Sequence, residues 1–156
     1  MLFALRLNTI ANSRLTINNT LAFTRFRYRT LINYSNKTAN TQFNYDFNTG
    51  IKDIMLNTIA DWNAAKFYKL KFGSNIIYHS FNPGITTYNQ NDNNTAIDTT
   101  IGILSINALE FRLFAENNFE ISNFLKTNIG FHFCDYYVQN KHYYSIQPRF
   151  VLNLFV

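Results

Sequence analysis

Cysteine, proline, glycine and charge are all scarce in this chain of 156 residues. It has one cysteine, two prolines and five glycines, and 15% of its residues are charged. A lone cysteine, Cys134, excludes a scaffold held by internal disulfides. No stretch approaches the ~20 apolar residues that a bilayer-crossing helix needs, which excludes a bundle of spanning helices. Ala, Glu, Lys, Leu and Arg do not dominate, which excludes a coiled coil.

Aromatic and uncharged polar residues are plentiful instead. The chain is 47% hydrophobic and 17% aromatic, with 16 Phe, 10 Tyr and 24 Asn, and its net charge is +5. This hydrophobic content argues against disorder. Many aromatics beside many uncharged polar residues suit a surface with one apolar face and one wet face. Two classes of protein fit that description, a soluble β-protein and a membrane β-barrel.

Alternation of apolar and polar residues with a period of two runs along most of the chain and predicts strands. The predicted fold class is all-β, an antiparallel up-and-down meander of about seven long strands. Several strands exceed the roughly 5–6 residues typical of globular proteins. The predicted strands are 2–11, 14–32, 47–62, 66–81, 99–120, 125–137 and 143–155.

The predicted connections alternate in length. Short polar turns fall at 12–13, 63–65 and 122–123, whereas longer links fall at 33–46 and 82–98, with a shorter one near 138–142. Short turns on one side and long loops on the other are typical of outer-membrane barrels. A soluble sandwich gives the same residue alternation, so strand length and loop asymmetry are what favour the barrel.

Each strand can be divided into two faces. In 101–115 the apolar face is expected to hold Ile101, Ile103, Leu109, Phe111 and Leu113. Glu110 and Arg112 share the opposite face, two residues apart and able to pair. Seven is an odd number, so the first and last strands run in the same direction, whereas single-chain bacterial barrels have an even number of antiparallel strands. The chain is therefore expected to need further strands.

Several segments resemble the barrel strands of TonB-dependent outer-membrane receptors, the branch with large nutrient-uptake barrels. The resemblance covers nearly the whole chain in consistent order. The segments are Leu5-Arg-Leu-Asn, Leu21-Ala-Phe-Thr-Arg-Phe-Arg27, Ile51-Lys-Asp-Ile-Met-Leu-Asn-Thr58, Tyr68-Lys-Leu-Lys-Phe-Gly-Ser-Asn75, Tyr78-His-Ser-Phe-Asn-Pro-Gly84, Glu110-Phe-Arg-Leu-Phe-Ala-Glu-Asn-Asn-Phe-Glu-Ile121, Leu125-Lys-Thr-Asn-Ile-Gly130 and Tyr144-Ser-Ile-Gln-Pro-Arg149.

The resemblance implies uptake of a scarce nutrient solute across the outer membrane, with energy relayed through a TonB-type partner. The family barrel has about 22 strands around a plug domain. No plug-like segment, energy-coupling box or closing strand is evident, and the chain starts and stops inside predicted strands. Residues 1–156 are therefore expected to be a partial transmembrane β-barrel domain without a plug, an open arc of a large outer-membrane β-barrel. Its expected partners are outer-membrane lipid, the remaining strands and the plug, but no nucleic acid.

The residues that could catalyse a reaction or bind a metal do not form a recognisable catalytic or metal-binding motif. His79, His132 and His142 lack a shared metal spacing, and their expected role is that of ordinary polar positions. The carboxylates are not predicted to form a compact pair at a turn or cleft, and Glu110 is expected to pair with Arg112 in a lumen. The chain is expected to be no enzyme, with no cofactor and no metal, and its ligand residues are unknown. The carboxylates considered are Asp53, Asp61, Glu110, Glu116 and Glu120.

Three further features have both a functional and a plain interpretation. Cys134 lacks the His and Asn partners of a nucleophile and is expected to be an ordinary strand residue. Arg25, Arg27 and Arg29 alternate with Phe26 and Tyr28, as in a nucleic-acid surface. In a barrel, the same run lies near the loop end, where it meets anionic head groups or acidic neighbours. The Asn-rich segment 89–94 suggests a sugar-binding or metal-binding loop, but this segment and the sequon at 36–38 are expected to follow from the Asn-rich composition.

Two functional hypotheses remain open. The first is a fragment of an outer-membrane transport barrel. The second is a soluble β-sandwich or small-barrel binding module, which the +5 charge would steer towards acidic partners. Behaviour in buffer without detergent separates them, because a barrel fragment exposes strand edges and an apolar face.

Overall fold

A computed structural model describes residues 1–36, 41–92, 95–103 and 105–155, and all the regular structure in these ranges is β-strand. Among the described residues, no helix is long and apolar enough to cross a membrane. The eight strands are β1 (Leu2–Asn12), β2 (Leu15–Asn36), β3 (Thr41–Ala65), β4 (Tyr68–Asp92), β5 (Thr95–Ile103), β6 (Ile106–Glu120), β7 (Leu125–Val138) and β8 (Lys141–Leu154).

The strands form one antiparallel meander sheet. The order is β1-β2-β3-β4-β6-β7-β8, and β5 pairs with β4. A strand has two edges, and one edge of β4 is taken by β3, so β5 and β6 share the other edge end to end. The sheet therefore has seven positions across, and the predicted strand 99–120 corresponds to β5 and β6 together. The predicted all-β open meander is confirmed.

An irregularity in β4 separates β5 from β6. The register of β3 against β4 shifts between Asn48 and Gly50, opposite the segment that contains Pro83. Thr49 Oγ1 donates to the Asn82 carbonyl at 2.8 Å, and the Gly84 amide donates to Asn82 Oδ1 at 3.2 Å. Proline lacks an amide proton for a ladder, so a break in register is the position where a strand tolerates it.

The break corrects one expectation about the faces. Directly opposite residues of an antiparallel pair point to the same face. Ile101 lies opposite Thr86, which lies opposite Phe47, whereas Leu109 lies opposite Tyr78. Ile101 is therefore on the opposite face from Leu109, because β5 and β6 are separate strands and the alternation does not continue from one to the other.

The two predicted long links are also largely strand. β2 continues to Asn36 and β3 starts at Thr41, while β4 continues to Asp92 and β5 starts at Thr95. These hairpins extend one end of the sheet, which we call the projecting end. The opposite end, with connections at 13–14, 66–67 and 121–124, is the turn end. Residues 37, 38, 93 and 94 of the sequon and the Asn-rich segment lie outside the described residues.

The register divides the sheet into two faces. The apolar face carries a continuous band of aliphatic and aromatic side chains across all seven positions. The polar face carries most of the Asn, Thr and charged residues of the same strands. The band consists of Phe3, Leu5, Leu7, Leu21, Phe23, Ile54, Leu56, Trp62, Phe72, Ile76, Tyr78, Leu109, Phe111, Leu113, Ile129, Phe131, Phe133, Tyr144, Ile146, Phe150, Leu152 and Leu154.

No second layer of described residues covers either face. Contacts between elements join neighbouring strands of the sheet, and the buried hydrophobic residues are three alanines, Ala22, Ala60 and Ala108. The chain exposes 11401 Å² for a mass of 18.3 kDa. A compact monomer of that mass exposes about 8,100 Å². The large side chains of the band therefore remain uncovered by this chain.

We expect Gly102→Ala to disrupt the pairing of β4 with β5. Gly102 has a φ of 134°, and an added Cβ would lie 2.2 Å from the Gly84 carbonyl oxygen. Strain of this kind costs about 1–3 kcal/mol. Hydrogen exchange of the amides in 85–91 should accelerate. The control is Gly130→Ala, whose nearest contact is 3.4 Å; equal exchange in both variants would contradict the prediction.

Candidate functional site

A polar network crosses the middle of the polar face. It joins Asp53 on β3, His79 on β4 and Glu110 on β6. The register brings these strands together, because Asp53 lies opposite His79, and His79 lies opposite Ala108, two residues from Glu110. Period-two alternation places Glu110 on the same face as Ala108.

His79 lies between the two carboxylates. Its Nδ1 is 2.8 Å from Asp53 Oδ1, and its Nε2 is 3.4 Å from Glu110 Oε2. The side chains are 13% exposed for His79 and Glu110 and 24% for Asp53. Both partners are carboxylates, which can accept a hydrogen bond from an imidazole N–H.

Arg112 and Cys134 complete the network around Glu110. Arg112 Nε donates to Glu110 Oε1 at 2.7 Å, and Arg112 Nη2 lies 2.5 Å from the same oxygen. Cys134 Sγ donates to this oxygen at 3.7 Å. At the other side, Thr24 Oγ1 donates to Asp53 Oδ2 at 3.3 Å. Side-chain contacts thus connect five neighbouring strands of the sheet, which are β2, β3, β4, β6 and β7.

Aromatic rings enclose the imidazole. Phe81 stacks on His79 with the ring centroids 5.4 Å apart, and Tyr136 lies at 6.0 Å. Rings that keep water away from the two His79 hydrogen bonds strengthen them, since a hydrogen bond is electrostatically stronger at low dielectric. The arrangement presents carboxylate, imidazole and guanidinium groups that can form hydrogen bonds with a polar ligand. Cys134 contacts Glu110 rather than His79, so the imidazole is not positioned as a base for the thiol.

Sequence reasoning found only part of this network. The predicted pair of Glu110 with Arg112 is present. The proximity of Asp53 to Glu110 was missed, because these residues are far apart in sequence and their contact depends on the register of three strands. The sequence shows a polar residue near the middle of each of these strands. Predicting their contact also requires the register between strands, which the sequence of one strand does not give.

The other predicted candidates are dispersed. His132 is in the middle of β7 on the polar face, and its Nδ1 is buried without a hydrogen-bond partner. His142 Nδ1 contacts Asp135 Oδ2 at 2.9 Å on the apolar face. Glu120 accepts a hydrogen bond from Lys126 at 3.1 Å near the turn end. Within the described ranges, no group of three or more metal-ligating side chains could hold a metal ion.

The arginine run has its cations and its rings on opposite faces. Arg25 lies opposite Lys52, on the apolar face, whereas Phe26 lies opposite Ile51 and Tyr28 opposite Thr49, on the polar face. A surface for single-stranded nucleic acid combines cations with stacking rings on one side. The strand register separates the two, so the run does not form such a surface on β2.

Arg29 and Asp46 form a bidentate ion pair at the projecting end. Arg29 Nε donates to Asp46 Oδ1 at 3.0 Å, and Nη2 donates to Oδ2 at 2.7 Å. The hydrogen bonds from Arg29 lower the pKa of Asp46 below its usual value, more than the partial loss of water raises it. One cation of the run is therefore neutralised within the sheet.

Aromatic side chains also line the polar face of the projecting hairpins. Tyr28 meets Phe47 edge to face at 6.5 Å, and Phe43 meets Tyr88 at 5.2 Å. The Tyr88 hydroxyl donates to Gln90 Oε1 at 2.6 Å. These rings and amides form an aromatic and polar surface at the projecting end.

We expect Glu110→Gln to lower the free energy of unfolding by about 1–3 kcal/mol, because Arg112 and His79 lose a charged acceptor. Fluorescence of the single tryptophan, Trp62, during urea titration measures this change. The control is Glu116→Gln on the same strand and face, since no described side chain makes a hydrogen bond or an ion pair with Glu116. An equal decrease in the free energy of unfolding of both variants would contradict a stabilising role of the network.

We expect Arg29→Gln to raise the pKa of Asp46 towards 3.8, the ordinary value for this carboxyl. The reason is the loss of the two hydrogen bonds that favour the ionised form. Carbon-13 NMR titration of the labelled aspartate carboxyl measures the change. Arg27→Gln on the same strand and face is the control and should leave the pKa of Asp46 unaltered; a shift of similar size there would contradict the assignment to the ion pair.

A scan against models of known protein families gives no match, and a search of curated proteins likewise finds no matching sequence. The geometry of the two faces and of the polar network is therefore the basis for the function proposed below.

Proposed function

We propose that this chain forms part of the wall of an outer-membrane β-barrel that transports a nutrient solute. The apolar band would contact lipid, and the polar face would line the lumen. One observation carries the proposal: a continuous band of large apolar side chains is exposed on one face of a single-layer sheet. Monomeric soluble proteins rarely expose apolar patches of more than a few hundred Å².

The height of the band supports a position across a membrane. On β8 the band extends from Tyr144 to Leu154, which is roughly 33 Å along an extended strand. At the tilt of 35–45° usual for barrel strands, this length gives roughly 25 Å along the membrane normal. The apolar belt of outer-membrane barrels has about that height.

The edges of the band carry amphipathic rings. Tyr78 is 44% exposed near the projecting end, and Trp62 is 42% exposed near the turn end. Tyr and Trp are typical of the two membrane–water interfaces, because one part of the side chain is apolar and the other is polar. This distribution agrees with the band as the lipid-facing belt.

Two pairs of polar side chains on the face of the band are partners of each other. Thr58 Oγ1 donates to Asn19 Oδ1 at 2.8 Å, and Asp135 contacts His142 at 2.9 Å. Pairing lowers the cost of polar groups next to hydrocarbon. The polar network of Asp53, His79 and Glu110 would face the lumen.

Both outer strands of the sheet have a free edge. Among the described strands, β1 pairs with β2 alone and β8 with β7 alone. With seven positions, β1 and β8 run in the same direction, so antiparallel closure needs an odd number of further strands. We propose that these strands come from the rest of a larger barrel, which would cover both edges.

The resemblance noted in the sequence gives the proposal its detail. A TonB-type energy-coupling partner would act through a plug domain, and the solute would contact the lumen and the projecting hairpins. The chain itself would position and bind rather than catalyse, and would need no cofactor. The outer membrane is the proposed location.

A matched pair of cysteine substitutions tests the proposal. In a Cys134→Ser background, Ser145→Cys lies on the polar face and Ile146→Cys on the apolar face of β8, and both positions are exposed in the sheet. In phospholipid vesicles, a hydrophilic maleimide should label Ser145→Cys at least ten times faster than Ile146→Cys. A fluorophore introduced at position 146 should be quenched by lipids with brominated chains.

Equal labelling at both positions, or the absence of lipid quenching at position 146, would contradict the proposal. Unfolding of both variants in urea should equalise their labelling and serves as the control. A chain that is monomeric and cooperatively folded in buffer without detergent would favour the binding-module alternative instead.

A further inference from the structure

A cationic cluster lies directly beside the apolar band, on the same face and towards the projecting end. We define it as Arg25 and Arg27 of β2 and Lys52 of β3. Arg25 is opposite Lys52, and the next row towards the band holds Phe23 opposite Ile54. The cluster therefore begins where the band ends.

The three cations are close together. Directly opposite residues have their Cβ atoms about 5 Å apart, and like charges in this position destabilise a sheet. Arg25 and Arg27 are two residues apart on one strand, which is about 7 Å. Both separations are shorter than the roughly 8 Å Debye length at physiological ionic strength, so salt does not remove the repulsion.

No carboxylate of the described residues neutralises the cluster. The side chains of Arg25, Arg27 and Lys52 make no hydrogen bond or ion pair there, whereas the neighbouring Arg29 is held by Asp46. Asp53 follows Lys52 in sequence but lies on the polar face, where it contacts His79. An anion from outside the described sheet is thus the missing partner.

A cleft of about 140 Å³ lies between these side chains. Ser80 and Asn82 on β4 add neutral polar groups to its lining, and they share the face of the cluster. Gly50 lies between Arg27 and Asn82 and contributes no side chain to the lining. Two guanidinium groups can bind phosphate oxygens in a bidentate manner, and an ammonium adds a point charge.

We propose that this cleft binds the phosphate of an anionic lipid headgroup, with the acyl chains of the same lipid along the apolar band. This inference rests on the proposed function, because it requires lipid at the band. Position selects a lipid over a free anion: the cations border the apolar surface, near the ring of Tyr78. The nucleic-acid alternative is disfavoured, because Phe26 and Tyr28 point to the other face.

Native mass spectrometry of the full chain, released from mixed micelles, tests the proposal with three probes. These are phosphatidic acid, diacylglycerol with the same acyl chains, and inorganic phosphate. Phosphatidic acid should bind at least ten times more tightly than either of the others. A single-stranded oligothymidylate is the fourth probe and should bind no better than inorganic phosphate.

Matched triple variants assign the binding to the cluster. Arg25→Gln/Arg27→Gln/Lys52→Gln should weaken binding of phosphatidic acid at least tenfold. Arg6→Gln/Lys71→Gln/Arg149→Gln removes the same charge from the polar face and should change it less than twofold.

Equal losses in the two triple variants would overturn the site, as would equal binding of phosphatidic acid and diacylglycerol. Equal binding of inorganic phosphate would make it a free-anion site, and preference for the oligonucleotide would make it a nucleic-acid surface; either result overturns the lipid assignment. If the labelling of positions 145 and 146 shows no lipid contact, the proposed function and this inference both fail. If that labelling holds and lipid discrimination is absent, this inference alone fails.

Discussion

Hydrogen bonding between strands that are neighbours in sequence is the constraint on which the rest of this structure depends. Buried backbone amides and carbonyls need partners, and here each strand finds them in the adjacent strands of a meander. Such a sheet is one layer thick. Its two faces must therefore differ in chemistry or be covered by something else, since period-two alternation gives every strand one side chain on each face in turn.

The division into faces could be predicted from the sequence wherever strands are uninterrupted. Leu109, Phe111 and Leu113 share a face as predicted, and so do Glu110 and Arg112 on the other. The prediction for Ile101 was wrong, because the strand is interrupted between β5 and β6. Alternation counted across this interruption no longer gives the correct face. The predicted long links failed for a related reason: Asn and Asp are depleted in strands, yet hydrogen bonds to the paired strand extend β2–β5 through them.

The polar network shows the corresponding limit for the candidate site. Glu110 and Arg112 are two residues apart on one strand, and their pairing needs only local geometry. The approach of Asp53 to Glu110 needs the register of β3 against β4 and of β4 against β6. Similarly, the separation of Arg25 from Phe26 could be predicted from alternation, whereas the proximity of Arg25 to Lys52 could not, because it depends on pairing with β3.

The irregularity at Asn82, Pro83 and Gly84 has a consequence for how this protein can change during evolution. β4 serves two partners, β6 on one side of the break and β5 on the other. Insertions or deletions in the hairpin of β4 and β5 can shift its pairing without altering the register of β6, since the two partners are not one continuous ladder. The projecting hairpin of β4 and β5 can thus diversify while the pairing of β4 with β6 is preserved.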